Sequence, residues 1–154
     1  MMQKSLIILK PDCLQRNLLG IIIERFENKG LKIAGLKMGK ISDEQIDEHY
    51  NHHKDKPFFV GLKKFMQSAP VVFMAIEGYD AIDSVRTIVG ATVGRKADAG
   101  SIRGDFSMSH SNNIVHASDS VESAEAEIKR FFKEEEIFDY QKDDWQWVYA
   151  DDEK

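Results

Sequence analysis

An α+β fold, with helices laid on one face of a mixed or antiparallel sheet, is predicted by three features of this sequence. Short apolar runs of strand character alternate with segments whose apolar residues recur at helical spacing. The order that results is strand, helix, strand, two helices, strand, helix, long loop, strand, helix, which suits α+β better than a strictly alternating parallel sheet. No internal repeat, low-complexity stretch or linker interrupts it. The 154 residues are enough for one domain with a proper core and too few for two comfortable ones. Residues 1–154 are therefore expected as a single domain, with 133–154 as a C-terminal extension.

Leu6 to Leu9 is a short β-type run, and Pro11 stops it. From Asp12 to Lys29 the residues Leu14, Leu18, Ile22 and Phe26 recur every four, with Leu19 and Ile23 widening the stripe. That spacing predicts one amphipathic helix, ended by Gly30 as a C-cap residue. Leu31 to Lys40 has strand character, and Lys32, Lys37 and Lys40 imply one wet face. Ser42 with Gln45 has the form of a capping box, so a helix is expected to about Tyr50. Pro57 opens another, carrying Phe58, Phe59, Leu62, Phe65 and Met66.

Pro70 introduces Val71 to Ile76, an unbroken apolar run typical of a central strand covered on both faces. Asp80 or Asp83 then starts a helix with Ile82, Val85 and Val89 on one side. Gly90 to Ser111 has no periodicity and four glycines; a loop this long in a compact domain is most often functional. A strand over 113–116 and a helix over 120–132 follow, the latter announced by Asp119 with Glu122 as a capping box. The acidic tail holds Phe138, Tyr140, Trp145, Trp147 and Tyr149, aromatics that predict packing on the body or on a neighbouring subunit.

Composition narrows the function. Hydrophobic content of 42% and charged content of 31% are ordinary for a soluble globular chain. A net charge of −5 with no long basic stripe removes the footprint of a nucleic-acid binder, while leaving room for a local basic pocket and a small anion. No apolar run approaches the roughly 20 residues of a membrane span, and the run 6–9 is too short for a signal-peptide core. The one cysteine, Cys13, fits a reducing compartment. A cytoplasmic protein without a membrane or stable nucleic-acid partner is the expectation.

Candidate chemistry centres on His116, set between a strand end and a helix start, where backbone N–H groups favour negative charge. It could be a nucleophile, a general base or a metal ligand, or simply a satisfied histidine beside a cap. Glu127 lies seven residues after Ser120, two turns along the same helix, where a carboxylate could hold one ring nitrogen as N–H. Lys10, before Pro11, is either a solvated strand-end charge or a pocket cation. Arg86, Arg95, Lys96 and Arg103 bracket the long loop and could cradle an anion, although Arg95 and Lys96 read better as solvated. His49, His52 and His53 have helical metal-ligand spacing but lack a cysteine or an evident fourth ligand. The loop's Gly90-Ala91-Thr92-Val93-Gly94-Arg95-Lys96 does not have phosphate-loop spacing and follows a helix, so that reading is rejected.

The segment His116-Ala117-Ser118-Asp119-Ser120-Val121-Glu122-Ser123-Ala124-Glu125, closed by Glu127, resembles the H-G-S-D-S-x-x-S-A-x-x-E motif of nucleoside diphosphate kinases. Lys10-Pro11-Asp12 is similar to that family's K-P-D, Pro57-Phe58-Phe59-x-Gly61-Leu62 to its P-F-F-x-G-L, and Ile102-Arg103-Gly104-Asp105-Phe106 to its I-R-G-D-F. The matches are separated, in order, and extend over essentially the whole chain. The resemblance implies a ferredoxin-like βαββαβ core with an antiparallel four-stranded sheet. It implies transfer of the γ-phosphoryl of a nucleoside triphosphate, mainly ATP, to His116 and onward to a nucleoside diphosphate, with Mg2+ held through the nucleotide phosphates. Lys10, Tyr50, Arg86, Thr92, Arg103 and Asn113 would then surround phosphate and ribose. Phe58 would stack on the base beside Leu62, and Ser118 and Glu127 would hold the imidazole. Stacking without base-edge hydrogen bonds implies tolerance of purines and pyrimidines.

Some positions depart from the family pattern. Ala117 replaces the usual glycine, at a cost of about 1–2 kcal/mol if the site needs positive φ. Cys13 follows K-P-D where glycine is common, Val93-Gly94-Arg95-Lys96 replaces a frequent N-P-A-D, and Ala99 a frequent proline. In the family that loop helps make trimer contacts, so these changes touch assembly first; the basic pair could also serve the nucleotide mouth. The long tail resembles the form associated with hexamers, with tetramers known among bacterial members, so a homo-oligomer is expected. Two rivals stand beside this reading: a relative restricted to one nucleotide, and a non-catalytic nucleotide-binding regulator.

Overall fold

The computed structural model describes residues 1–153. In chain order the regular elements are β1 (Met2–Leu9), α1 (Pro11–Gln15), α2 (Leu19–Asn28), β2 (Lys32–Gly39), α3 (Asp43–His49), α4 (Phe59–Met66), β3 (Val71–Tyr79), α5 (Ala81–Val89), α6 (Ile102–Phe106), β4 (Val115–Ala117), α7 (Val121–Phe131) and α8 (Trp145–Val148). Strand order is β2-β3-β1-β4, and every neighbouring pair is antiparallel. This is the ferredoxin-like α+β arrangement, and it puts the two most apolar strands, β3 and β1, in the middle.

Helices cover both faces of the sheet, not one. Ile7, Leu9, Val72, Met74 and Ile76 point to a core with Ile22, Phe26, Val85 and Val89 of α2 and α5. Leu6, Ile8, Phe73 and Ala75 point to the opposite core, with Ile46, Phe59, Met66 and Phe131 of α3, α4 and α7. Period-2 alternation sends successive side chains to opposite faces, so an unbroken apolar run is what a doubly covered strand requires.

The predicted helix over 12–29 is broken in two. Asn17 takes φ 57°, and Leu18 N–H reaches back to Cys13 carbonyl at 3.0 Å; the left-handed residue ends α1 before Leu19 restarts the apolar stripe. Gly30 does end α2, at φ 93°. Its N–H bonds Glu27 carbonyl and the Leu31 N–H bonds Phe26 carbonyl, the paired bonds of a Schellman cap. Ser42 and Gln45 form the predicted box, both bonds at 3.1 Å. Asp119 and Glu122 do not: Ser120 caps α7, accepting from Ser123 N–H at 3.0 Å. Asp80 precedes α5 in a left-handed turn at φ 47° without a side-chain cap; Gln3 Oε1 takes the Ile82 N–H instead. The last strand is Val115–Ala117 rather than 113–116, and the long loop contains α6, capped by Ser101.

The wet face predicted for β2 fails at Lys32, which is 2% exposed and paired with Glu77 at 3.2 Å. Its neighbours include the C-terminal extension, of whose aromatics Tyr140, Trp145 and Tyr149 bond the chain's own body, while Phe138 and Trp147 stay 62% and 86% exposed. Trp145 Nε1 donates to Gly30 carbonyl at 2.9 Å, Tyr140 Oη to Ile33 carbonyl at 2.9 Å, and Tyr149 Oη accepts from Tyr79 N–H. Among the described residues no helix is long and apolar enough to cross a membrane.

Candidate active site

Lys10-Pro11-Asp12 holds the chain that delivers His116. Lys10 N–H bonds Ile114 carbonyl at 2.8 Å, Asp12 Oδ2 accepts from Ile114 N–H at 3.0 Å, and Lys10 Nζ reaches Asn113 Oδ1 at 2.7 Å. Between these clamps Ile114 takes φ 74°. A β-branched residue there is strained by a few kcal/mol at most and persists only where its surroundings over-determine it. Two residues later, His116 sits in the sheet opposite Ile8.

The imidazole is fixed from α7. His116 Nε2–H donates to Glu127, whose oxygens lie 3.2 and 3.1 Å away. Ser118 Oγ donates to the same carboxylate at 2.6 Å and accepts from Leu6 N–H at 3.0 Å. Ser118 thus holds Glu127 rather than the ring itself, and does so fully buried. A carboxylate can only accept, so Nε2 carries a proton, and in the neutral ring Nδ1 keeps its lone pair. Nδ1 has no hydrogen-bond partner among the described residues.

His116 opens on a cavity of about 840 Å³, the size of a pocket that takes a nucleotide-sized ligand. Buried Lys10, half-buried Arg103 and exposed Arg86 line it, as do Phe58 and Leu62. Arg103 spends its guanidinium on the carbonyls of Gly90, Asn113 and Val115, at 3.0, 3.3 and 2.7 Å, which ties α6 and the loop to β4. Arg86 is exposed, with no hydrogen bond or ion pair among the described residues. Thr92 carbonyl accepts from Asn113 Nδ2, and the other Asn113 donor bond goes to His110 carbonyl. Asn113 is therefore a tie that holds Lys10. Tyr50 is buried, its ring 4.6 Å from that of His49.

Concentrated positive charge shifts the local acid–base chemistry. Burial, and then Arg103, pull Lys10 down to about 8; burial and then Arg86 pull Arg103 down to about 10. Burial, reinforced by Glu127, pushes the Tyr50 phenol up. These three groups line one cavity, and a cluster of perturbed groups in one cleft is the pattern that marks functional sites.

The family model described as nucleoside diphosphate kinase matches residues 3–137. The chain belongs to the nucleoside diphosphate kinase family. A nucleoside diphosphate kinase from Parabacteroides distasonis is 55% identical over 152 residues, covering 99% of each chain. One from Methanothermobacter thermautotrophicus is 51% identical over 150 residues, covering 97% of this chain and all of the relative. Among solved structures, the halophilic nucleoside diphosphate kinase of Halobacterium salinarum, in complex with CDP, is 42% identical with a TM-score of 0.95, covering 97% of this chain and 100% of that one. Membership makes this chain an enzyme, a phosphotransferase of nucleotide metabolism.

Of the eleven residues expected to hold the imidazole and the nucleotide, ten line this cavity, and the eleventh, Ser118, is fully buried and bonded to Glu127. It does not bring Arg95 or Lys96 to the nucleoside diphosphate kinase pocket; Arg95 bonds Met108 carbonyl instead. His49, His52 and His53 do not converge on a metal: His49 leaves α3 toward His116 and Glu127, while His52 and His53 lie on a following 3-10 turn with ring centroids 3.9 Å apart. Ala117 is extended in β4 opposite Ile7 and has no positive φ, so the missing glycine costs nothing. Three residues have contacts that the sequence did not assign to them. Asp12 clamps Ile114, His49 packs on His116, and Arg130 donates to His49. Asp12 was legible as part of K-P-D; the other two touch only through the tertiary fold.

Proposed function

We propose that this enzyme transfers the γ-phosphoryl of a nucleoside triphosphate, mainly ATP, to His116 and from there to a nucleoside diphosphate of any base. The carrying observation is the tautomer of His116: with Nε2–H committed to Glu127, the Nδ1 lone pair is the free nucleophile on the cavity wall. It attacks the γ-phosphorus; the bond to the β–γ bridging oxygen breaks, and its electron pair leaves with the nucleoside diphosphate. The acceptor's terminal phosphate oxygen then repeats the displacement at the same phosphorus, regenerating the imidazole. One site serves donor and acceptor in turn, so kinetics are ping-pong.

Phosphoryl transfer is governed by positioning and by neutralising charge on the equatorial oxygens. Lys10 and Arg103 are held rigidly for that task, and Arg86 and Thr92 stand at the outer phosphates and ribose. Glu127, fixed by Ser118, steadies the ring as it becomes cationic on phosphorylation. Phe58, 48% exposed on the cavity wall, offers a stacking face to any base, with Leu62 beside it. Tyr50 excludes water next to the ring. A magnesium ion bound through the nucleotide phosphates fits this lining, because, of the cavity's carboxylates, Glu48 and Glu127 are engaged and only Asp119 has no partner among the described residues. Asp119 would hold a water of that ion, which when bound supplies further neutralisation of the phosphates.

Incubation with γ-labelled ATP tests the reading: acid-labile, base-stable label on the wild type, and none on folded His116→Asn. No label on the wild type would indicate a nucleotide-binding regulator instead, and initial rates across acceptor diphosphates test base tolerance. We also propose a cytoplasmic homo-oligomer, a hexamer before a tetramer. In support, Leu36 and Met38 on the edge strand β2 are 52% and 61% exposed; mass in solution decides.

A further inference from the structure

Phe58 is the ring assigned above to the base, yet it is 48% exposed, and an exposed side chain left to itself hops between rotamers. His53 is the ring that braces it. Their centroids lie 5.1 Å apart with the planes at 63°, an edge-to-face contact. His53 also stacks on Tyr50, at 6.2 Å and 24°. Tyr50 meets His49 at 4.6 Å, and His49 meets His116 at 4.5 Å. A ladder of rings therefore runs from the base platform to the nucleophile, along one cavity that all five rings line. His53 is the rung that joins its exposed end to its buried end.

The backbone fixes that rung. His53 N–H bonds Tyr50 carbonyl at 2.8 Å, Lys56 N–H bonds His53 carbonyl at 2.9 Å, and Phe59 N–H bonds Lys56 carbonyl at 3.0 Å. Each bond spans three residues, so the chain winds from α3 to α4 in tight turns. Of residues 51–58 only His53 is partly buried; the others are exposed. Its Nδ1 is buried without a hydrogen-bond partner, so packing rather than a polar bond holds the ring. Burial, then His52 and Lys56, lower its basicity, which favours a neutral imidazole packed as a flat aromatic. A phenyl ring would meet the same need without stranding a nitrogen.

We propose that His53 is a positioning residue for nucleotide binding: wedged between Tyr50 and Phe58, it holds the Phe58 ring in place relative to the wall that carries His116. This rests on the stacking role given to Phe58 above. Stacking on an aromatic side chain accounts for about five- to a hundredfold in affinity per base, and a ring free to turn forfeits part of it. The stack is present before and during the chemical step alike, so its loss is read in nucleotide binding rather than in the rate at saturation.

Single-turnover phosphorylation by labelled ATP tests this in the wild type, His53→Ala, His53→Phe, Phe58→Ala and the double variant His53→Ala/Phe58→Ala, with folding checked by thermal melting. His53→Ala is expected to raise the half-saturating ATP concentration about three- to tenfold, with the limiting rate kept, and His53→Phe to recover most of the loss. With Phe58 already removed, His53→Ala should change nothing further. The inhibition constant of inorganic tripolyphosphate, which has no base, should match the wild type in His53→Ala. An unchanged half-saturating concentration in His53→Ala overturns the proposal, as does a His53→Phe that binds ATP as weakly as His53→Ala. A loss of the same size without Phe58 would mean that His53 touches the nucleotide itself, and equal weakening of tripolyphosphate would mean a general distortion of the cavity; either overturns it. If His53→Ala does not fold, His53→Leu, bulky but without a flat ring, takes its place, and collapse of both makes the residue structural and ends the proposal. A Phe58→Ala that binds ATP like the wild type removes the stacking reading and this inference together, whereas an impaired Phe58→Ala beside an indifferent His53→Ala removes this inference alone.

Discussion

Lys10 illustrates what a single residue gives up to serve a site. The residue is 6% exposed, and its ammonium is bonded to Asn113 and pulled from an ordinary 10.5 to about 8 by burial and then by Arg103. A lysine pKa lowered by folding means that the charged form is disfavoured in the native state. The cost is fully present below about pH 8 and disappears as pH rises from about 8 toward the unfolded value. At neutral pH it amounts to roughly 3 kcal/mol. Lys10→Met is therefore expected to raise the melting temperature at pH 7 by several degrees while losing most activity, and to give no gain near pH 10.5. The same titration predicts an alkaline limb near pH 8 in kcat/KM, which reports the free enzyme, and a weaker one in kcat, because bound phosphate holds the proton on Lys10. A limb retained below pH 9 in Lys10→Arg would assign it to another group.

At the scale of elements, the chemistry depends on short pieces more than on long ones. β4 has three residues and α6 five, and neither would persist alone. They persist because Arg103 on α6 bonds the carbonyl of Val115 on β4, and because Asp12 and Lys10 grip Ile114. Gly104 lets α6 lie against the preceding turn; a Cβ there would overlap the Asp98 carbonyl. Gly104→Ala is expected to destabilise the fold by about 1–3 kcal/mol and to raise the KM for nucleotide by moving Arg103. Denaturant unfolding together with initial rates checks both, and an unchanged KM would free α6 from any part in binding. On the other side, Ser120 starts α7 so that Glu127, two turns on, meets His116. That link follows from helix geometry and could be read from the residue numbers.

Across the whole molecule, the sheet is closed on both faces and one of its edges is finished by the C-terminal extension. Lys32 is the pin. It bonds Glu77 at 3.2 Å and Tyr140 carbonyl at 3.1 Å, with its ammonium 5.2 and 5.5 Å from the ring centres of Tyr140 and Trp145. Removing one partner of a buried ion pair strands the other, although Lys4 still meets Glu77 at 3.0 Å. Lys32→Ala is therefore expected to cost about 2–4 kcal/mol, lowering the melting temperature by roughly 5–15 °C. Trp145 fluorescence should shift to the red as the extension loosens, and activity per folded molecule should survive, because the pin is remote from the pocket. A melting temperature within a degree of wild type would show that the extension holds without it.

The sequence by itself determined the local and periodic features. The central strands, the Gly30 and Ser42 caps, the amphipathic helices and the residues around the cavity all follow from spacing and from motifs in which each residue has one job. Tertiary structure alone decided where a choice depended on groups distant in the chain. The break at Asn17, the burial of Lys32 and the covering of both sheet faces each require knowing what packs opposite. So do the partner of Ser118 and the pairing of His49 with Arg130, 81 positions apart. The physical reason is that backbone periodicity is a short-range property. Burial and proton placement are set by neighbours that only the closed fold brings within a few ångströms.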